Sequence, residues 1–130
     1  CNENELAALL AAIGSRPVWL AASTHEGEEE MIATAHSILV RRRANLLTII
    51  VPRHPERGDK IAAMLRKKGQ VAQRSKKQPI APYIQYYVAD TMGELGLFYR
   101  LSEIVFMGGS LIPHGGQNPL EPARLRCPIL

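Results

Sequence analysis

The chain has 130 residues, of which 46% are hydrophobic and 22% are charged, which is enough for one globular core and too short for two ordinary domains. Its formal net charge of +4, from 16 basic against 12 acidic residues, favours an anionic partner but falls short of the excess that marks a dedicated nucleic-acid binder. Cys1 and Cys127 at opposite ends exclude a disulfide framework and a zinc motif, and no apolar stretch approaches the length of a membrane span.

The pattern of apolar residues predicts alternating helices and strands from the start of the chain. An amphipathic helix carries apolar residues up to Ile13 and ends at Gly14, and a strand over 17–22 follows it. The second helix has acidic residues at its start and basic residues 41–43 at its end, as the helix dipole favours. Its predicted apolar face consists of Met31, Ile32, Ala35, Ile38 and Leu39.

The rest of the chain continues this alternation. A helix that ends at Gly69 and another over 91–99 separate further strands, and the polar segment 74–82 suits an exposed connection. The apolar runs that predict these strands are 46–51, 71–72, 84–89 and 104–107. We therefore predict an α/β fold, with a Rossmann-like parallel sheet flanked by helices. Since 127–130 resembles the start of another buried strand, we expect residues 1–130 to form a single soluble domain that is truncated at its C-terminal end.

Four polar segments lie where a predicted strand gives way to a helix. They are 23–29, 51–57, 90–95 and 115–122. In parallel α/β proteins ligands bind at such junctions, because strand ends and helix N-termini present unpaired backbone N–H groups to an anion. The sequence therefore predicts a ligand that carries phosphate.

The segment after the 46–51 strand places two arginines beside a helix start. Pro55 suits the first helical position, so Arg53 and Arg57 flank an end that already attracts anions. A guanidinium there can bind phosphate through two hydrogen bonds. The alternative is that both arginines are solvated surface charges, and the local pattern does not decide between the two.

The segment 90–95 contains a capping motif. Thr91 and Glu94 match the S/T-x-x-E capping box, which predicts that a helix begins there. Gly93 and Gly96 would then lie inside a helix, where each glycine costs about 1 kcal/mol relative to alanine. A ligand that approaches the backbone near Met92 and Gly93 would account for one of them.

The segment 115–122 predicts another helix start. Asn118 suits the N-cap, Pro119 the first helical position, and Glu121 follows three residues after the cap. The glycine pairs at 108–109 and 115–116 allow the backbone to close around a ribose or a phosphate. Glu121 is placed to accept hydrogen bonds from a sugar diol, and the alternative is a capped helix without a ligand.

Residues suited to acid–base or metal chemistry do not form a set. Thr24, His25 and Glu26 combine a hydroxyl, an imidazole and a carboxylate, but no nucleophile with an adjacent base accompanies them. The four histidines are scattered along the chain, so we expect no bound metal.

Five motifs occur in a fixed order. They are ASTHEGEE at 22–29, PRHPER at 52–57, DTMGEL at 90–95, GGSL at 108–111 and GGQNPLEPA at 115–123. Together they resemble the C-terminal half of the 3-deoxy-D-manno-octulosonic acid (Kdo) transferases of lipopolysaccharide synthesis. The similarity runs from about residue 16 to the end and departs from the family at Gln117, where its members commonly carry histidine.

The resemblance implies a glycosyltransferase of GT-B architecture, in which two Rossmann-like domains face a cleft and this chain is most of the C-terminal, donor-binding one. The donor of that family is CMP-Kdo, and the acceptor is a lipid A precursor at the cytoplasmic face of the bacterial inner membrane. The transfer is inverting, without a bound metal or other cofactor. Because the catalytic base belongs to the missing N-terminal domain, which also binds the acceptor, we expect this chain alone to transfer nothing.

The resemblance also implies roles for individual residues. Arg53 resembles the residue that meets the CMP phosphate and stabilises the leaving group, and Met92 and Gly93 resemble part of the cytidine pocket. The other implied substrate-binding positions are Ser23, Gly27 and Pro52, which line the cleft, and Asn118 and Glu121, which contact phosphate and ribose.

Two other functions fit parts of the pattern. A GT-B enzyme that uses a UDP-sugar would share the glutamate at the helix start, and a non-enzymatic nucleotide- or RNA-binding module would fit the basic charge. Aromatic residues make up only 5% of the chain and no RNA-binding signature is present, so we expect no nucleic-acid partner.

Overall fold

The computed structural model of the chain describes residues 3–109 and the backbone of residues 120–122. The helices are α1 (Glu3–Ile13), α2 (Glu28–Leu39), α3 (Gly58–Arg66) and α4 (Leu95–Leu101), with short 3-10 turns at Pro55–Arg57 and Arg74–Lys76. The strands are β1 (Val18–Thr24), β2 (Leu47–Pro52), β3 (Val71–Gln73), β4 (Tyr86–Val88), β5 (Ile104–Met107) and β6 (Leu120–Pro122). They form one sheet in the order β3-β4-β2-β1-β5-β6.

The first five strands are parallel to one another. β1 lies between β2 and β5, and β4 lies between β2 and β3. The predicted α/β fold with a parallel sheet is therefore confirmed. Because parallel strands end on the same side, the loops that follow Thr24, Pro52, Gln73, Val88 and Met107 share one side of the sheet, which we call the carboxyl edge.

Each face of the sheet packs against two of the helices in the described part of the chain. On one face α1 and α4 bury Leu9 and Phe98 together with Leu20 of β1. On the other face α2 and α3 bury Ile32 and Leu65. β2 and β4 are neighbours, yet the helices that follow them, α3 and α4, lie on opposite faces. In open α/β sheets such a pair of strand ends borders the crevice in which ligands bind.

The buried face of α2 differs from the one predicted. Met31, Ile38 and Leu39 are 53%, 56% and 43% exposed, whereas Ile32 and His36 face the core. The prediction was right for Ile32, but it misplaced the rest of the face because it followed the spacing of apolar residues alone and did not include His36.

His36 is buried because it has a polar partner in the sheet. Trp19 Nε1–H donates to Thr48 Oγ1 over 2.6 Å, and Thr48 Oγ1 lies 2.7 Å from His36 Nδ1. Since the indole can only donate, Thr48 Oγ1 accepts from it, and the same hydroxyl can still donate to Nδ1 or accept from Nδ1–H, according to the tautomer of the ring. Burial, with a smaller contribution from the charge of Arg16, lowers the pKa of His36, so the neutral ring is favoured.

The segment Leu120–Pro122 also differs from its prediction. It forms β6, which pairs antiparallel with β5 so that Glu121 lies opposite Val105. The helix predicted to start at Pro119 is therefore wrong for these three residues. The physical reason is that β6 covers the open edge of β5, whose N–H and C=O groups would otherwise lack partners on that side.

Within the described residues, no helix combines the length and the apolar character needed to cross a bilayer.

Candidate functional site

The structure brings six of the predicted site residues to the carboxyl edge. Thr24 at the end of β1 is in register with Pro52 at the end of β2, and the β4–α4 loop begins beside them because β4 pairs with β2. The six residues are Ser23, Gly27, Pro52, Arg53, Met92 and Gly93. The edge therefore collects three of the loops that the sequence singled out.

The end of β1 is approached closely by the loop that follows β5. The Gly108 N–H donates to the Ala22 carbonyl over 2.6 Å, and a Cβ at position 108 would overlap the carbonyl oxygen of Ser23. Glycine at 108 is therefore required by packing. Ser23 has a φ of 56°, in the left-handed region that non-glycine residues seldom adopt, and such strained residues concentrate at functional sites.

Glu28 joins the β1–α2 loop to the loop that follows β5. We call this second loop, which contains Gly108 and Gly109, the glycine loop. Its carboxylate accepts the backbone N–H of His25 at 2.7 Å and that of Gly109 at 3.0 and 2.9 Å to its two oxygens. The residue is only 5% exposed, so these N–H groups and the N-terminus of α2 stabilise its charge. Gly27 is the N-cap of this helix. The sequence identified Glu28 as a helix-dipole residue, but the contact with Gly109 depends on the tertiary fold.

Arg53 offers an unpaired guanidinium at the carboxyl edge. Its backbone N–H donates to the Thr24 carbonyl over 3.0 Å, which fixes the start of the loop. Its side chain is exposed and, within the described part of the chain, has no hydrogen bond or ion pair. Arg57 differs, because it donates to both carboxylate oxygens of the buried Glu29, at 3.1 and 3.0 Å. Of the two arginines predicted to flank the helix start, only Arg53 is free to bind an anion.

The β4–α4 loop is a turn and does not have the predicted capping box. α4 begins at Leu95 without a side-chain cap, and the Thr91 hydroxyl contacts the Glu94 carboxylate instead of a backbone N–H. Gly93 has a φ of 76°, so the turn itself requires glycine. The capping-box prediction is wrong for this reason. Met92 is 84% exposed and projects from the turn at the carboxyl edge.

Arg74 holds this turn through Glu94, the residue that follows Gly93. Its Nε and Nη2 donate to the two oxygens of Glu94 at 2.7 and 2.8 Å, and Nη2 also donates to Glu5 at 2.7 Å. Its side chain is only 14% exposed, so the exposed connection predicted for 74–82 is wrong at this residue. The hydrogen bond from Arg74 is the main cause that lowers the pKa of Glu94, and the Glu94 contact raises the pKa of Arg74.

Asp90 anchors the same loop at its other end. Its carboxylate accepts Gln73 Nε2–H at 2.8 Å, and the backbone N–H and hydroxyl of Ser75 at 2.9 and 2.7 Å. A Cβ at Gly58 would overlap this carboxylate, so the start of α3 packs directly against it. Sequence reasoning missed the anchoring roles of Asp90 and Arg74. The one available signal was an acidic residue directly after a buried strand.

The remaining predicted positions lie apart from these loops or outside the description. Asn118 lies outside the described residues. The backbone of Glu121 lies beside the middle of β5, since its partner Val105 is in register with Leu20 of β1.

Among residues 3–109, no group of three or more histidine, cysteine, aspartate or glutamate side chains could hold a metal ion.

Comparison with known proteins identifies the relatives of this chain. It matches no family model. It is 47% identical over 116 residues to a 3-deoxy-D-manno-octulosonic acid transferase of Haemophilus influenzae, a match that covers 88% of this chain and 27% of that protein. It is 42% identical over 125 residues to a probable mitochondrial transferase of the same name from Arabidopsis thaliana, with 94% of this chain and 28% of that protein covered.

A solved structure shares both fold and sequence with the chain. It is the crystal structure of the C-terminal CMP-Kdo binding domain of WaaA from Acinetobacter baumannii, with a TM-score of 0.78 and 39% identity over 88% of this chain and 62% of that one. The chain spans little more than a quarter of the length of the curated relatives above. The resemblance found in the motifs is confirmed, and the chain belongs to the 3-deoxy-D-manno-octulosonic acid transferase family, in the part that forms its C-terminal domain.

Proposed function

We propose that this chain is the donor-binding domain of a Kdo transferase and binds CMP-Kdo at the carboxyl edge. The observation that carries the proposal is its 39% identity, with a shared fold, to a domain described as binding CMP-Kdo. The free guanidinium of Arg53 at this edge supplies the charge that a nucleotide phosphate requires.

In the proposed site the phosphate of CMP lies against Arg53, and the cytidine lies toward Met92 and Gly93. These two loops follow the adjacent strands β2 and β4, so one nucleotide can contact both. Ser23, Gly27 and Pro52 would line the neighbouring part of the cleft. From the family resemblance the proposal also assigns Asn118 to the phosphate and Glu121 to the ribose. The backbone of Glu121 lies beside the middle of β5, apart from the loops at the carboxyl edge, so the proposed contacts of CMP with this edge do not depend on it.

The proposed chemistry of the parent enzyme is an inverting transfer. The oxygen of an acceptor hydroxyl bonds to the anomeric carbon of Kdo while the bond from that carbon to the CMP phosphate oxygen breaks. The hydroxyl proton passes to a base in the N-terminal domain, and CMP leaves as an anion. Arg53 would stabilise the charge that develops on this leaving phosphate.

We further propose a lipid A precursor as the acceptor, in lipopolysaccharide synthesis at the cytoplasmic face of the inner membrane. Acceptor binding and the base belong to the domain that precedes this one in the parent. The chain alone should therefore bind nucleotide weakly and transfer no Kdo. Detectable transfer from CMP-Kdo by the isolated chain would contradict this assignment of roles.

A nucleotide titration followed by backbone NMR tests the proposal. CMP should shift the amide signals of Arg53, Met92 and Gly93, and Arg53→Ala should weaken CMP binding at least about tenfold, because a charge-assisted contact is lost. The control is Arg42→Ala, which removes an exposed arginine at the opposite edge of the sheet and should leave CMP affinity unchanged.

The same titration separates the two alternative functions. Equal or tighter binding of UMP would favour a transferase that uses a UDP-sugar. Shifts over 66–77 on addition of a short RNA, without shifts at Arg53, would favour a nucleic-acid module. Neither alternative has support from the relatives found, which are Kdo transferases.

A further inference from the structure

We propose that Arg74 is a positioning residue for nucleotide binding, which holds the turn of Met92 and Gly93 in place through its paired contact with Glu94. The inference rests on the proposed function, because it assigns to this turn the side of the site that meets the cytidine. It adds a residue from outside the five motifs to the donor site.

The turn of Met92 and Gly93 is exposed to solvent. Met92 is 84% exposed and Gly93 is exposed as well, so neither residue is fixed by burial. A ligand contact at two such residues is effective only if the turn is already ordered, because ordering it on binding would cost affinity. The order must therefore come from the residues on either side.

Both sides of the turn are held by one short segment. Asp90, which precedes the turn, accepts hydrogen bonds from Gln73 and Ser75. Glu94, which follows it, accepts two hydrogen bonds from Arg74. Three consecutive residues, the last residue of β3 and the two that follow it, thus fix both ends of the β4–α4 loop. The Thr91 hydroxyl closes the loop internally through its contact with Glu94.

Arg74 is itself held by contacts with two aromatic side chains. Its guanidinium carbon lies 5.4 Å from the centre of the Phe98 ring, and Nη1 donates to the Tyr87 hydroxyl over 3.1 Å. Both aromatic residues belong to the core. A planar guanidinium held in this way places two parallel N–H groups at Glu94, a geometry that a lysine ammonium cannot reproduce.

Arg74 also has a purely structural contact, which provides the control. Its Nη2 donates to Glu5 over 2.7 Å, and Glu5 belongs to α1, outside the β4–α4 loop. If Arg74 acted only through stability, loss of the Glu5 contact and loss of the Glu94 contact would have similar consequences. If it positions the turn, only loss of the Glu94 contact should change nucleotide affinity.

The test measures CMP affinity of the 130-residue chain by NMR, using the Met92 methyl signal, with thermal midpoints recorded so that every variant is compared while folded. Arg74→Lys and Glu94→Gln should each raise the Kd for CMP by about tenfold. The double variant should be no weaker than the weaker single variant, because both changes remove the same contact. Glu5→Gln should lower the thermal midpoint and leave the Kd within about twofold of the original.

Each result decides between the two proposals. Unchanged CMP affinity in Arg74→Lys and Glu94→Gln would overturn the positioning role while leaving the donor site intact. Additive losses in the double variant, or a loss of affinity in Glu5→Gln equal to that in Glu94→Gln, would overturn it too. If CMP does not shift the Met92 signal of the unaltered chain, the proposed function fails at this turn and the role of Arg74 fails with it.

Discussion

Two arginines at the carboxyl edge have opposite environments. Arg53 follows β2 with an exposed side chain and no partner within the described residues. Arg74 follows β3, is only 14% exposed and donates to two carboxylates and a phenol. The sequence singles out Arg53 beside a helix start, whereas it presents Arg74 only as a basic residue in a polar connection. The difference teaches that pairing decides which arginine is available to a ligand and which one organises the protein around that ligand.

The largest expected effect comes from Arg74→Ala. The substitution leaves Glu94 and Glu5 close together without their shared cation, and we expect a loss of about 3 kcal/mol in the free energy of unfolding. Urea denaturation at neutral pH measures it. A loss below about 1 kcal/mol would show that water compensates for the missing guanidinium and would remove the contrast with Arg53.

The glycine loop is the next most sensitive place at this edge. Gly108→Ala brings a Cβ into the Ser23 carbonyl, and because the obstacle is backbone we expect a loss of about 2 kcal/mol in unfolding free energy. The matched control is Gly96→Ala in α4, where a Cβ meets nothing within 4 Å. That change should stabilise the chain by up to about 1 kcal/mol. Equal outcomes for the two substitutions would contradict the predicted contact.

Acid should weaken the Arg74 region selectively. The hydrogen bond from Arg74 lowers the pKa of Glu94 from its ordinary value of 4.5, so the folded state binds this proton less readily than the unfolded state. The resulting stability is present above the ordinary pKa and is lost as pH falls through the lower folded value. Unfolding free energy should therefore drop more steeply in the original chain than in Glu94→Gln between about pH 6 and about pH 3. Parallel curves would argue against the ion pair.

The smallest expected effect is that of Arg53→Ala on stability. An exposed side chain without partners contributes little to folding, so the unfolding free energy should stay within about 0.5 kcal/mol of the original. Thermal and urea denaturation of this variant beside Arg74→Ala complete the comparison. A large loss would mean that Arg53 has a structural partner and is not reserved for a ligand.

Much of the fold followed from local patterns, and the errors share one cause. β5 was predicted over 104–107 and lies there, and α1 ends before Gly14 as predicted. Periodicity and helix-end signals act over a few residues, which a single sequence displays directly. The buried face of α2 was wrong because the burial of His36 depends on Thr48, in a neighbouring strand.

The candidate site shows the same limit. Its position was predictable, because a strand followed by a polar loop marks the carboxyl edge in any parallel sheet. It was not predictable that Arg57 is paired while Arg53 is free, since the partner of Arg57 is Glu29, which lies 28 residues away in the chain. The role of Arg74 was also hidden, because its carboxylate partners lie 20 and 69 residues away in the chain.

The carboxylate of Glu28 has a consequence for how the edge can move. It receives the N–H of His25 and that of Gly109 at once, and it is shielded from water. Retracting either loop alone would strip a buried anion of part of its solvation, which costs more than losing a neutral contact. The single carboxylate of Glu28 therefore couples the positions of these two loops.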